Sequence, residues 1–293
     1  MTKRNFAIIG ATIVSLIYGV TFSIAKDVMP LYIQPFGFIV LRVLGATLLF
    51  WLISLFTPKE KIAPSDYLRI TAAAFFGVAF NMLTFFKGLS YTSPIISAVL
   101  MVTSPILVLI FSTIIVKEKL QPKKVIGIIL GLSGATILIL YGKKLASMPN
   151  AMLGNFLVFI NAVSYAFYLI IVKKLMDKYN AFTFVKWIYT IGFLMVLPFG
   201  WSEIEQVVWN SIPTDIYYKI GFVVLFSTFF TYLLNLLSMR QLSPTTVAVF
   251  MYLQPLFATI FAISLGKDSL DAVKIGSALL VFLGVYLVVL KKS

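Results

Sequence analysis

Arg42 is the only ionisable side chain that the sequence sets well inside a long apolar run. It lies seven residues past Pro35, which is about 10 Å along a helix that rises ~1.5 Å per residue. A guanidinium at that depth has two uses. It can snorkel to the nearer surface or pair with Asp27, or it can capture a carboxylate or phosphate with its planar fork of donors. The other polar groups in apolar surroundings are amides, hydroxyls and phenols. Asn81 and Thr84 share a helical face, as do Tyr232 and Asn235. Asn161, Ser164 and Tyr165 form a further cluster, for which Tyr18 is the counterpart in the first run. Thr103 and Ser104 precede Pro105, and Gln254 precedes Pro255. A polar side chain inside an apolar segment faces a cavity or another helix, so each is a candidate substrate-binding residue. Bonding between helices is the competing use for Asn and Gln, and plain packing is the competing use for a single Tyr or Thr.

The missing residue types exclude whole classes of chemistry. There is no His and no Cys, which removes thiol chemistry and the commonest metal ligands. The ten acids are Asp27, Glu60, Asp66, Glu118, Asp177, Glu203, Glu205, Asp215, Asp268 and Asp271, all in breaks or at the ends of runs. An intramembrane enzyme would need a nucleophile–base pair, a metal cluster or a carboxylate dyad. The sequence provides none of these, so no metal, cofactor or catalytic residue is expected. Proton-driven exchange of cationic drugs would need a carboxylate in mid-span, and it is excluded as an expectation on the same inventory.

The elements that must carry these groups follow from composition. The chain has 293 residues, 60% hydrophobic and 12% charged, with a mean hydropathy of +1.01. Soluble domains carry ~25% charge, so a water-facing surface is out of reach. Apolar runs fall at about 5–25, 35–56, 67–88, 94–116, 123–141, 151–172, 181–199, 216–238, 244–265 and 271–290. Each is near the ~20 residues a bilayer-crossing helix needs, and the breaks carry charge, proline or both. The expected fold is an all-α integral membrane protein of ten transmembrane helices. The first run, preceded by Lys3-Arg4, reads as a retained helix and not a cleaved signal peptide. The longest break, 200–215, holds Trp201 and Trp209 and reads as an interfacial segment with aromatic anchors.

Lys and Arg total 24 against 10 acids, a net charge of +14. With no basic stripe on a polar face, a nucleic-acid partner is not expected. On the face that carries the N-terminus 16 basic residues collect, against 7 on the other. That asymmetry predicts cytoplasmic N- and C-termini in a multi-pass protein of a bacterial cell (inner) membrane.

The two halves repeat each other. At an offset of 150, residues 93–120 and 243–270 share 10 identities in 28 positions. Among them Ser93-Pro94 aligns with Ser243-Pro244, and Pro105 with Pro255. The first helices match at an offset of 147, Tyr18 with Tyr165 and Lys26 with Lys173. Five helices per half is an odd number, so the second half enters from the opposite side and the repeat is inverted. The division expected is 1–147 and 148–293. Each Ser-Pro reads as a helix start, capped by serine with proline in the first turn. Pro105 and Pro255 lie in mid-span, where each kinks its helix and frees a backbone carbonyl, that of Met101 or Met251. Paired breaks at corresponding places are the best sequence pointer to a transporter's site, so these prolines are expected at the kink or gate. Ordinary kinked helices are the competing account. Small residues at Gly127, Gly131 and Gly134, and at Gly276, Ser277 and Gly284, suit close helix packing, either within the chain or across a homodimer.

The chain resembles the EamA-like branch of the drug/metabolite transporter superfamily. The matching pieces are Tyr18-Gly19-Val20-Thr21-Phe22, Leu41-Arg42, and Lys87 to Pro94, followed by Met101-Val102-Thr103-Ser104-Pro105. Lys117-Glu118-Lys119-Leu120 ahead of Gly127 and Gly134 is echoed by Lys267-Asp268-Ser269-Leu270, Gly276 and Gly284. Asp268 stands where such proteins often have Glu. The resemblance implies two inverted five-helix repeats around a central cavity lined mainly by helices 3, 4, 8 and 9. It also implies export or uptake of small metabolites such as amino acids. The expected function is therefore a secondary carrier of small neutral or zwitterionic metabolites, a monomer or homodimer in the lipid bilayer. A receptor or assembly subunit is the alternative. The short loops on both faces leave it little surface for a partner.

Overall fold

A computed structural model describes residues 2–57, 60–92, 94–142, 150–264, 266 and 269–290. Among them are ten helices long and apolar enough to cross a membrane. They are α1 (Lys3–Val28), α2 (Pro35–Ser54), α3 (Pro64–Tyr91), α4 (Ile95–Ile115) and α5 (Pro122–Leu140). The second half comprises α6 (Ala151–Met176), α7 (Ala181–Glu205), α8 (Thr214–Met239), α9 (Pro244–Ser264) and α10 (Ala272–Val289). No strand occurs among the described residues. In hydrocarbon every backbone group must be bonded within its own segment, which leaves the helix as the solution for apolar runs of this length. The expected boundary at 147/148 lies outside the described residues.

Proline and capping residues set several helix starts. Pro35, Pro122 and Pro244 sit in the first turns of α2, α5 and α9, where a missing N–H costs nothing. Ser243 caps α9, its Oγ accepting from the Thr246 amide at 3.3 Å. Its repeat mate Ser93 lies outside the described residues, as does Asp268. The break expected at 200–215 is shorter than read, because α7 continues to Glu205. The Glu203 carboxylate accepts from the Gly37 amide at 2.8 Å, in the first turn of α2, where unpaired amides and the helix dipole attract an anion. Trp201 and Trp209 remain exposed at this rim.

The packing has the symmetry of an inverted repeat. α5 packs on α10 and α2 on α7. Exchanging the halves converts the α3–α6 contact into α8–α1, and α4–α6 into α9–α1, and all four contacts are present. Arg4 donates to the Val289 carbonyl, so both chain ends lie on one face, as an even number of spans requires. The glycines of α5 and α10 face each other. A Cβ added at Gly127 would lie 2.6 Å from the Gly284 carbonyl oxygen, and one at Gly134 would lie 2.7 Å from that of Ser277. Of the two packing roles open to these residues, Gly127, Gly134, Ser277 and Gly284 take the intramolecular one. Gly276 has open space beside it.

Four helices are interrupted in mid-span, in two matched pairs. α4 breaks between Met101 and Ser104, and α9 narrows to a 3-10 turn over Phe250–Tyr252. These are the kinks that Pro105 and Pro255 predict, 150 residues apart. The Met251 carbonyl, expected to be free, accepts from the Leu253 amide within that turn. The second pair has no proline. α3 widens into a π-turn over Phe75–Ala79, and α8 does so over Val223–Phe230. At the repeat offset Phe75 corresponds to Leu225, so both π-turns occupy the same place in their halves. A π-turn inserts a residue into the helical ladder and displaces carbonyls from it.

Candidate functional site

The interruptions bring polar groups together near the middle of the bundle. In α3 the Phe76 carbonyl accepts from Ser164 Oγ of α6 at 2.7 Å, and the Gly77 carbonyl accepts from Tyr232 Oη of α8 at 2.8 Å. In α8 Thr228 Oγ1 donates to the Val223 carbonyl five residues back, at 2.9 Å, and accepts from Arg42 Nε at 3.1 Å. The π-turn of α8 thus orients the hydroxyl that holds the arginine. In α9 the Phe250 carbonyl of the 3-10 turn accepts from Ser15 Oγ of α1 at 2.7 Å. At the broken turns, side-chain hydroxyls of neighbouring helices donate to backbone carbonyls, as polar groups in lipid require partners.

Of the residues singled out in the sequence, the structure gathers Tyr18, Arg42, Tyr165 and Tyr232. Tyr18, Tyr189 and Tyr232 lie within electrostatic range of the Arg42 guanidinium. The phenol rings form a chain. Tyr165 and Tyr168 have centroids 6.3 Å apart, Tyr168 and Tyr232 6.0 Å, and Tyr189 and Tyr232 5.2 Å at 85°. Arg42 is 8% exposed, Tyr168 2% and Tyr189 0%. Tyr168 Oη and Tyr189 Oη are buried without a hydrogen-bond partner. A buried hydroxyl left unpaired costs ~1–3 kcal/mol, so these two phenols, Tyr189 within electrostatic range of Arg42 and Tyr168 one ring further along the chain past Tyr232, are polar capacity held in reserve. Tyr18, Tyr165 and Tyr232 are less completely covered.

Arg42 neither snorkels nor pairs with Asp27. The Asp27 carboxylate is held by Lys219 at 2.8 Å, because α8 starts beside the end of α1 and offers a flexible ammonium at the membrane edge. Among the described residues no carboxylate lies within 4 Å of Arg42.

The remaining candidates fall elsewhere. Asn81 and Asn161 form a clasp between α3 and α6. Asn161 Nδ2 donates to the Asn81 carbonyl at 2.6 Å, and Asn81 Nδ2 donates to the Asn161 carbonyl at 3.3 Å. Thr84 Oγ1 donates back to the Phe80 carbonyl at 2.6 Å, and Thr103 Oγ1 to the Leu100 carbonyl at 2.6 Å, at the lip of the α4 break. Ser104 is fully buried and its Oγ has no partner. Asn235 is buried one turn beyond Tyr232. Gln254 lies just past the α9 turn, where its backbone carbonyl comes against Gly19 of α1. Pro105 is buried and Pro255 partly so.

Sequence reasoning passed over Tyr168, Tyr189 and Thr228. Tyr168 is three residues from Tyr165 on the same helix and was the most accessible of these signals. Tyr189 and Thr228 resemble any other aromatic or hydroxyl residue of an apolar run.

At the face bearing both chain ends the halves are tied by a second polar group. Glu118, between α4 and α5, binds Lys124 Nζ at 2.6 Å and accepts from Thr245 Oγ1 of α9 at 2.8 Å. Burial pushes the Glu118 carboxyl up. Hydrogen bonds from Lys124, Ser243 and Thr245 outweigh that and hold it below the ordinary glutamate range. Asp66, buried on the same face, is bonded by Arg69, Lys178 and Tyr179. Clefts of about 370 and 310 Å³ open beside these groups, and neither is lined by Arg42 or by Tyr18, Tyr165, Tyr168, Tyr189 or Tyr232.

A ten-helix bundle whose halves carry matching interruptions around a polar midplane is the architecture of a membrane transporter. The model of the EamA-like transporter family matches residues 5–140 and again 152–290. The chain belongs to that family. It is 24% identical over 269 residues to an "Uncharacterized transporter" of Archaeoglobus fulgidus, covering 91% of this chain and 90% of the relative. It is 25% identical over 280 residues to the "Uncharacterized transporter YyaM" of Bacillus subtilis, covering 92% and 89%. A solved crystal structure has the same fold with a TM-score of 0.79 at 14% identity, covering 98% of this chain and 96% of the other. The protein is therefore a multi-pass integral membrane transporter with a small-molecule substrate and a lipid surround.

Proposed function

We propose that the protein is a secondary carrier of small neutral or zwitterionic metabolites such as amino acids. The two five-helix halves, 1–147 and 148–293, rock about the midplane and expose the site to each side in turn. The observation that carries this reading is the pairing of interruptions: π-turns in α3 and α8, and breaks in α4 and α9, at equivalent places. Helices broken at the same depth in both halves hinge there, and the side chains and dipole ends gathered at the breaks recognise polar ligands. The tyrosines, Arg42, and the amides and hydroxyls at the breaks form the substrate surface. With 16 basic residues on the terminus-bearing face against 7 opposite, that face is cytoplasmic in a bacterial inner membrane. The sequence sets every acid in a break or at the end of a run, and among the described residues no carboxylate pairs with Arg42, which supports uniport or exchange.

The test is counterflow into proteoliposomes preloaded with an unlabelled amino-acid mixture, reading uptake of the same mixture in labelled form. Trans-stimulated uptake that ignores an imposed pH gradient is expected, and Gln254→Ala should lower it at unchanged reconstitution. Uptake driven by the pH gradient would overturn the uncoupled mechanism. No trans-stimulation with any metabolite, alongside intact protein in the vesicles, would overturn the carrier.

A further inference from the structure

We propose that Arg42 is the anchor for a single carboxylate, so that the substrate carries one carboxylate and no second anionic group. The inference rests on the carrier reading above and deepens it. Two charged residues fall in the buried class among the described residues, Arg42 and Asp66. Asp66 has two cations and a phenol bonded to it. Arg42 has Thr228 Oγ1 alone, and no carboxylate within 4 Å among the described residues. A guanidinium offers five N–H donors, and this one spends its Nε on Thr228, with no acceptor for its terminal amino groups among the described residues. Thr228 is itself fixed, because its proton is committed to the Val223 carbonyl of the π-turn. The arginine is therefore aimed before a ligand arrives. A planar fork with its stem pinned matches the two oxygens of a carboxylate.

Charge selects among anions. An ion held away from bulk water without a counter-charge is unfavourable, and a ligand of equal and opposite charge relieves that. A monocarboxylate neutralises Arg42. A dianionic phosphate or dicarboxylate would leave net negative charge, with no second buried cation among the described residues to meet it. An ammonium on the same substrate finds no acid in the core. It would rest instead on the phenol rings of Tyr18, Tyr189 and Tyr232, which lie within electrostatic range of the guanidinium.

The experiment is a tryptophan-fluorescence melt of the purified full chain with three sets of probes: the α-amino acids, their α-amino amides, and inorganic phosphate. Stabilisation by at least one amino acid is expected, with none from its amide or from phosphate. Arg42→Met should abolish that response while raising the melting temperature of the ligand-free protein, since it removes an uncompensated buried charge. A merely structural arginine would lower it. Should Arg42→Met fail to fold, Thr228→Val keeps the cation but frees its stem, and should weaken amino-acid binding at least tenfold. Equal stabilisation by acid and amide, a stronger response to phosphate, no response from the wild type, or wild-type affinity in Thr228→Val would each overturn the proposal. Counterflow separates it from the carrier reading: transport that survives Arg42→Met unchanged sinks the anchor and leaves the carrier standing.

Discussion

Alanine at Gly127 should force α5 and α10 apart. An added Cβ there would meet the Gly284 carbonyl oxygen at 2.6 Å and Val288 Cγ2 at 2.8 Å. From the other side, a Cβ at Gly284 would meet the Gly127 carbonyl oxygen at 2.5 Å and the Gly131 amide nitrogen at 2.6 Å. Carbon–oxygen contacts between helices settle at about 3.3 Å, so the axes must part by roughly 0.7 Å, a gap that forfeits a quarter to a half of each dispersion contact it opens. Overpacking of this kind costs about 1–3 kcal/mol. Because one separation makes room for both methyl groups, Gly127→Ala with Gly284→Ala should cost clearly less than the sum of the single changes, with a coupling of about 0.5–3 kcal/mol. The assay is thermal unfolding of the purified protein followed by its four tryptophans, for the wild type, both single variants and the double. Single variants that melt like the wild type, or costs that simply add, would refute the argument. A change in oligomeric state with unchanged melting would move the glycines to a subunit interface instead.

Other expectations follow from the polar groups. The folded Glu118 carboxyl lies below its ordinary value, so its contribution is complete above the ordinary glutamate range and fades as pH falls through the depressed value. Glu118→Gln should lower stability by about 1–3 kcal/mol near neutral pH, and the difference from the wild type should vanish in acid. Melting curves against pH check this, and a gap that persists at low pH would contradict it. Tyr232→Phe removes the donor to the Gly77 carbonyl in the α3 π-turn. It should cost about 0.6 kcal/mol, the average for a hydrogen bond between membrane helices, and faster amide exchange around Phe75–Ala79 by mass spectrometry should accompany it. Unchanged exchange there would show that the π-turn does not depend on Tyr232.

The spans, the repeat and the proline breaks were legible in the chain because lipid makes them so. A bilayer of fixed thickness requires apolar runs of fixed length, and proline removes a ladder bond wherever it falls. Pro105 and Pro255 therefore announced the α4 and α9 interruptions, and the glycines of α5 and α10 announced a close helix pair. The π-turns of α3 and α8 carried no such mark. Nothing in Phe75–Ala79 forbids a regular helix, and the turn is matched by side chains from other helices, Ser164 and Tyr232, that donate to its carbonyls. Convergence is likewise a matter of rotation and register. Asn81 and Asn161 looked like site amides, but facing each other across α3 and α6 each donates to the other's backbone. Tyr168 and Tyr189 looked like two of many aromatics until the packing of α6, α7 and α8 set both against Tyr232, with Tyr189 in electrostatic range of Arg42. The sequence by itself determined that one cation would lie inside an acid-free core. Only the tertiary structure decided that Asp27 would be claimed by Lys219 and that Thr228 would hold the guanidinium in place. The partner of a buried charge is fixed by which helices meet, and that is a property of the assembled bundle.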